Sequence, residues 1–192
     1  MVIKGLFIPC PRWWALVFLI GVQAMPLPAQ EFGPRQGLLL GSGAISPGFM
    51  LHRSMTNIYV SGHLEYFVDE AVSIRGRGAW YVDAQQEPAL LRENSQLSAG
   101  PWFHTGKGRL DLHAGFEPGI SFTSLVIGTG RLRVLPTLDV GAGATWYVWD
   151  HFHFFAQLRY HRARYPGLSD GALPLDELVV AGGLGFQLRV RR

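Results

Sequence analysis

The amino-acid sequence predicts an all-β fold, an eight-stranded antiparallel up-and-down transmembrane β-barrel, and three observations carry that expectation. First, residues 131–149 alternate for nineteen positions between an even set (Leu132, Val134, Pro136, Leu138, Val140, Ala142, Ala144, Trp146, Val148) and a mostly polar odd set that includes Arg131, Arg133, Thr137, Asp139 and Thr145. Successive strand side chains point to opposite faces, so a period of two over this length means one long strand meeting two environments. Ordinary strands have about 5–6 residues; this one is long enough to cross a bilayer at a tilt. Second, the alternation recurs in eight segments, and third, the connections between them alternate short and long.

Taken in order, the segments are 36–46, 57–68, 71–82, 95–104, 109–122, 131–149, 152–162 and 177–190. Each was given the register that suits its apolar residues. One face then collects Leu38, Leu40, Ser42 and Ala44; Ile58, Val60, Leu64 and Tyr66; Val72, Ile74 and Trp80; Leu97, Ala99 and Phe103. It continues with Leu110, Leu112, Phe116, Ile120 and Phe122, the even set above, Phe152, Phe154, Leu158 and Tyr160, and Leu178, Val180, Leu184, Phe186 and Leu188. No charged residue stands on that face. The opposite face carries Glu65, Arg75, Arg77, Arg109, Asp111, Glu117, Arg131, Arg133, Asp139, Arg159 and Arg189, with His63, His104, His113, His153 and His161.

The N-terminus is built differently. Met1-Val-Ile-Lys4 is followed by the apolar run Trp13–Val22 and by Ala24-Met-Pro-Leu-Pro-Ala-Gln30, the charged, apolar and small-residue order of a secretory signal peptide. The run is too short for a spanning helix, which needs ~20 residues. Residues 1–29 are therefore expected to be removed, with cleavage after Ala29 and Ala24 as the alternative, leaving 30–192 as the barrel domain. Cys10, the single cysteine of the chain, leaves with that segment, so export here implies no disulfide. Its loss also removes Lys4 and Arg12 and narrows 17 basic against 14 acidic side chains to 15 against 14. A chain so nearly neutral has no electrostatic footprint for nucleic acid.

A soluble β-sandwich also alternates, with its apolar face inward. The connections argue for a membrane barrel instead: Asp69-Glu70, Thr105–Gly108 and Asp150-His151 are short, whereas 46–56, 83–94, 123–130 and 163–176 are longer. Short turns at one end and loops at the other are the outer-membrane pattern. Aromatic residues on the apolar face sit where strands would meet the membrane interfaces: Tyr66, Phe103, Trp146 and Phe152 beside short turns, and Trp80, Phe122 and Tyr160 beside long loops. Inside so small a barrel the bore is filled by side chains, and buried charges persist there only when paired. Glu65, Glu117 and Asp139 against Arg75, Arg77 and Arg159 are the expected lumen network, with arginine suited to bidentate carboxylate binding.

The segment Gly62-His-Leu-Glu-Tyr-Phe-Val-Asp-Glu-Ala-Val-Ser-Ile-Arg-Gly-Arg-Gly78 closes a strand on Tyr66-Phe67, turns on two acids and returns on a Gly-rich strand. In this, and in the whole mature pattern, the chain resembles the OmpA/OmpX-like small outer-membrane β-barrel proteins of Gram-negative bacteria. The resemblance implies the barrel fold, an outer-membrane location among lipid and lipopolysaccharide, and insertion by the barrel-assembly machinery; it carries no catalytic residue. Barrels of this group usually finish on an aromatic residue, and here Phe186 stands nearest to the closing Leu188-Arg-Val-Arg-Arg192.

Other chemistry has little support. Gly167-Leu-Ser-Asp-Gly171 matches a nucleophile elbow, but that motif needs a strand–turn–helix context and Ser169 falls in a Gly/Pro-rich loop. His151 and His153, with His161 on the same strand, offer two ligands without a third fixed by spacing. A lipid A deacylase would resemble a His-x-Ser arrangement on a late strand, where this chain has His161-Arg-Ala. No cofactor and no metal is expected. The function expected is that of a non-enzymatic, monomeric outer-membrane protein with a plugged lumen, serving envelope integrity or surface interaction through loops 46–56, 83–94 and 163–176. A narrow channel and a lipid A-modifying barrel enzyme are the alternatives, and the surface partner is not identified by the sequence.

Overall fold

The structure, a computed structural model, describes residues 32–85, 89–106, 108–126, 130–168 and 171–190. The expected signal segment and Ser169 lie outside the described residues. Among these residues the secondary structure is all strand: β1 (Leu38–Met50), β2 (Thr56–Phe67), β3 (Val72–Ala84), β4 (Leu91–His104), β5 (Leu110–Leu125), β6 (Arg133–Tyr147), β7 (Phe152–Leu168), β8 (Gly171–Pro174) and β9 (Glu177–Arg189).

Every pairing is antiparallel, and the sheet order β6-β5-β4-β3-β2-β1-β9-β7 is closed by a β6–β7 ladder. Eight strands thus form a ring without a free edge, which satisfies the backbone of each by its neighbours. The short β8 lies outside the ring and pairs with β7 alone. Segment 163–176 is accordingly not a plain loop: β7 runs on to Leu168 and folds back as a hairpin.

The strands also overrun the expected boundaries at the long-loop end, to Met50, Ala84, Leu125 and Leu168. The alternation seen in the apolar band breaks there because the outer face turns polar while the inner face carries apolar residues such as Met50, Leu91 and Leu125. Arg92, Glu93, Arg162 and Arg164 are exposed on the outer wall, so periodicity marks the apolar band rather than the strand. At the other end the turns are tight. Asp69 Oδ1 accepts hydrogen bonds from the amides of Ala71 and Val72, both at 2.7 Å, an Asx turn that sets the β2–β3 connection.

The faces of β2 to β7 and β9 follow the parity expected from the sequence, and β1 does not. Leu38 and Leu40, expected outside, are each 1% exposed, whereas Ile45 on the opposite parity is 70% exposed. Ser42 also points inward, to His153. Leu38-Leu39-Leu40 is apolar on both parities, so local hydrophobicity cannot choose between them. Pairing chooses: Leu40 stands opposite Glu65, and directly paired residues share a face. A one-residue slip moves every side chain of a strand to the other side.

The stagger of the ring is traced by successive cross-strand partners. From Met50 the row passes to Glu177 on β9, His161 on β7, Asp139 on β6 and Glu117 on β5. It crosses β4 where Gly100 lies against the Glu117 backbone, then runs through Arg75 and Glu65 to Leu40. The row returns to β1 ten residues from its start at Met50, the shear that a closed, tilted barrel requires.

The interior has three layers. Met50, Leu90, Leu91, Leu125, Leu135, Ala163, Tyr165 and Leu175 form an apolar cluster at the long-loop mouth. Leu38, Leu40, Phe67 and Tyr147, with Phe32 packed against them, form a second at the short-turn end. Between them lies a polar layer.

Candidate functional site in the barrel lumen

The polar layer is built by the inward-facing side chains of all eight ring strands. Glu65, Arg75, Arg77, Glu117, Asp139 and Arg159 all point into the bore and none is more than 6% exposed. Arg75 Nη2 donates to Glu65 Oε2 at 2.8 Å. Arg77 bridges two strands: its Nε donates to Glu117 Oε2 at 3.1 Å, and its Nη2 lies 2.9 Å from Asp139 Oδ2. Arg159 Nε stands 3.4 Å from Asp139 Oδ1, an oxygen also bonded to His161 Nδ1 at 3.1 Å. The six residues thus fall into two groups, Glu65–Arg75 and Glu117–Arg77–Asp139–Arg159.

Trp102 joins them. Its Nε1 donates to Glu117 Oε1 at 2.9 Å, and the Arg75 guanidinium lies 3.7 Å above its ring. Cation–π stacking and a carboxylate bond hold the indole across the bore. Room for it comes from glycine: a Cβ on Gly115 would stand 2.6 Å from the indole, and one on Gly141 3.1 Å. Gly115→Val is therefore expected to destabilise the barrel by about 1–3 kcal/mol through overpacking. Urea unfolding in lipid vesicles measures this, with a blue-to-red shift of Trp emission showing whether the indole has been expelled.

Arg75 Nη1 also donates to Gln157 Oε1 at 3.3 Å. β3 and β7 stand opposite in the ring, so this bond spans the full bore. Above the charged groups, Glu177 accepts hydrogen bonds from Asn57 Nδ2 at 2.5 Å and from the Tyr59 hydroxyl at 2.9 Å. Asn94 Nδ2 donates to the Tyr59 oxygen, and Thr123 Oγ1 donates to Asn94 Oδ1, each at 2.9 Å. Below them, His104 lies between two carboxylates, with Nε2 3.0 Å from Glu65 Oε1 and Nδ1 2.6 Å from Asp111 Oδ2. His113 Nδ1 is 3.8 Å from the same Asp111 oxygen.

The sequence reading singled out neither Glu177, Tyr59, Asn57 and Asn94 nor Trp102. Parity places Glu177, Tyr59, Asn57 and Trp102 inside, and Asn94 falls in the expected loop 83–94. Nothing in one strand shows that an amide and a hydroxyl of β2 meet a carboxylate of β9, with Asn94 of β4 and Thr123 of β5 behind them. The histidines weighed as ligands from spacing are not brought together. His151 is exposed in a turn, His153 bonds Ser42 at 2.8 Å, and His161 bonds Asp139. The group that does converge, His104, Asp111 and His113, spans the β4–β5 turn, and its sequence signal is a His and an Asp-x-His pair on the two sides of a short turn.

The aromatic residues singled out lie on the outer wall. Phe103, Trp146, Phe152 and Trp80 are exposed, and Tyr66, Phe122 and Tyr160 are half-buried. Tyr160 sits just below the exposed Arg162 and Arg164, where the apolar band of β7 ends.

No family model and no curated protein matches this chain. Solved structures share its fold. The crystal structure of the N-terminal β-barrel domain of Pseudomonas aeruginosa OprF aligns at a TM-score of 0.60 and 17% identity, covering 80% of this chain and 98% of its own. The outer membrane protein OprG from the same organism aligns at 0.62 and 13%, covering 82% and 99%. Neisserial surface protein A aligns at 0.59 and 11%, covering 80% and 96%.

Proposed function

We propose that this chain, whose fold is that of the small outer-membrane β-barrels, is a non-catalytic integral protein of the bacterial outer membrane with a closed bore. In this reading the apolar wall meets lipid and lipopolysaccharide, its aromatic residues anchor the two interfaces, and the short turns face the periplasm. The barrel is a monomeric scaffold, inserted by the barrel-assembly machinery after export directed by residues 1–29. It serves envelope integrity or surface contact through its long-loop end.

One observation carries the proposal: the bore is blocked at three levels. Apolar clusters fill both mouths, and Arg75 reaches Gln157 across the middle. An ion entering would have to break buried ion pairs, and a buried pair that loses a partner costs about 3–5 kcal/mol. The strand ends and the segments beside them take part in the closure, since Met50 at the end of β1, Leu91 at the start of β4, and Leu90 and Leu175 outside the strands turn into the upper cluster. Phe49 and Leu51 stay exposed beside them and are the apolar surface offered to a partner.

Planar-bilayer recording tests this. The expected result is no unit conductance above baseline from protein that shows a heat-dependent mobility shift on gels. Stable, reproducible steps from the same preparation would replace the scaffold reading with a narrow channel. Lipid A of unchanged mass on overexpression is the expected result for a barrel without lipid-modifying activity.

A further inference from the structure

We propose that His104, Asp111 and His113 form a binding site for one divalent transition-metal ion of borderline softness, zinc being the reference case, at the short-turn end of the barrel. Two strands and one turn build it. His104 closes β4, His113 stands directly opposite it on β5, and Asp111 is two residues before His113 on the same inward face. All three are buried, and one donor atom from each lies within 4.8 Å of the other two. Zinc takes nitrogen and carboxylate ligands at about 2.0–2.2 Å in a tetrahedral shell, and small side-chain rotations bring these donors to that spacing.

Three further features fit a ligand rather than a simple hydrogen-bond cluster. His113 Nδ1 is buried without a hydrogen-bond partner, facing the Asp111 carboxylate at 3.8 Å. A buried polar atom left unpaired is costly, and a metal ion would occupy its lone pair. Asp111 is already oriented, because its Oδ1 accepts the Gly106 amide at 3.0 Å and leaves Oδ2 toward the two imidazoles. His104 has the outer partner common to metal-bound histidines: Nε2 faces Glu65 Oε1 at 3.0 Å, which fixes the ring and leaves Nδ1 for the ion. Glu65 is itself held by Arg75 and Ser73.

The site has an approach and an open position. A cavity of about 480 Å³, lined by Phe32, Glu70, Thr105 and Gly106, reaches His104 from the end of the barrel. Three protein ligands leave a fourth tetrahedral place for water or for a donor from outside. Such a shell binds exchangeably, unlike a closed four-ligand structural site.

The test uses the untagged chain folded in detergent micelles, with zinc chloride alone as the probe in isothermal titration. The expected result is one zinc per chain, with affinity lowered by about tenfold or more in His113→Asn and in Asp111→Asn, and unchanged in His151→Gln, whose histidine is exposed in another turn. A heat-dependent mobility shift establishes that each variant is folded. Cobalt absorption gives a second readout on the unaltered protein that needs no variant. Intense tetrahedral bands support the site, and the weak spectrum of the hydrated ion overturns it. Absence of zinc binding, or equal affinity in folded His113→Asn, also overturns it.

Discussion

Replacing Arg77 by methionine lowers the stability of the folded barrel by about 3–5 kcal/mol, the cost of removing one partner from a buried ion pair. Methionine keeps much of the volume, so the loss is electrostatic. Arg77 contacts both Glu117 at 3.1 Å and Asp139 at 2.9 Å, and its removal leaves two carboxylates short of one cation. Glu117 retains Ser98 and Trp102 as donors, and Asp139 retains His161 and Arg159. Those contacts soften the penalty without cancelling the charge. Adding Glu117→Gln to Arg77→Met is expected to recover most of the loss, because Asp139 then balances Arg159 and the glutamine stays within reach of Ser98 and Trp102. Urea titration in lipid vesicles measures all three chains. A loss below about 1 kcal/mol, the scale of an exposed pair, would show that water reaches Arg77 and that the bore is not closed.

Placing an arginine on the outer wall at Val140 is expected to cost about 2–4 kcal/mol in a bilayer, the penalty for a cation facing lipid near the midplane. Val140 lies in the middle of β6, 49% exposed on the outer face and paired with Phe116 and Tyr160. The matched substitution Leu51→Arg, at an exposed position between β1 and β2, is expected to stay within about 0.5 kcal/mol, as surface changes do. Equal effects at the two sites would mean that the wall at Val140 meets water, and the assignment of lipid to that face would fall.

Much of the fold was legible because a strand declares its faces locally. Cβ atoms alternate whatever the strand pairs with, so β6 could be divided into Leu132–Val148 and Arg133–Tyr147 without knowing its neighbours. The signal failed where hydrophobicity does not alternate. Leu38-Leu39-Leu40 suits either register, and β1 took the one that puts Leu38 and Leu40 with Phe67 and Tyr147 in the lower cluster. It also weakened above the apolar band, where β7 continues through outward-facing Arg162 and Arg164 to Leu168.

Less of the candidate site was legible. Parity assigns Asp139 and Arg77 to the interior, yet they lie on strands three apart in the ring and meet only when it closes. The same holds for Glu177 with Asn57 and Tyr59; His161, a candidate metal ligand by spacing, instead bonds Asp139 directly across the β6–β7 hairpin. The His104–Asp111–His113 group is local in sequence, but its meaning depends on Glu65 arriving from β2 behind His104.

The sequence alone therefore determined that this protein is built of long strands with an uncharged outer band and a charged inner face, because alternation is a property of each strand by itself. Only the tertiary structure decided which acid meets which base, which way β1 faces, and that both mouths are filled. The reason is the stagger. A row that leaves β1 at Met50 and returns at Leu40 sets every height in the bore at once, and that displacement belongs to the closed barrel and to no single strand.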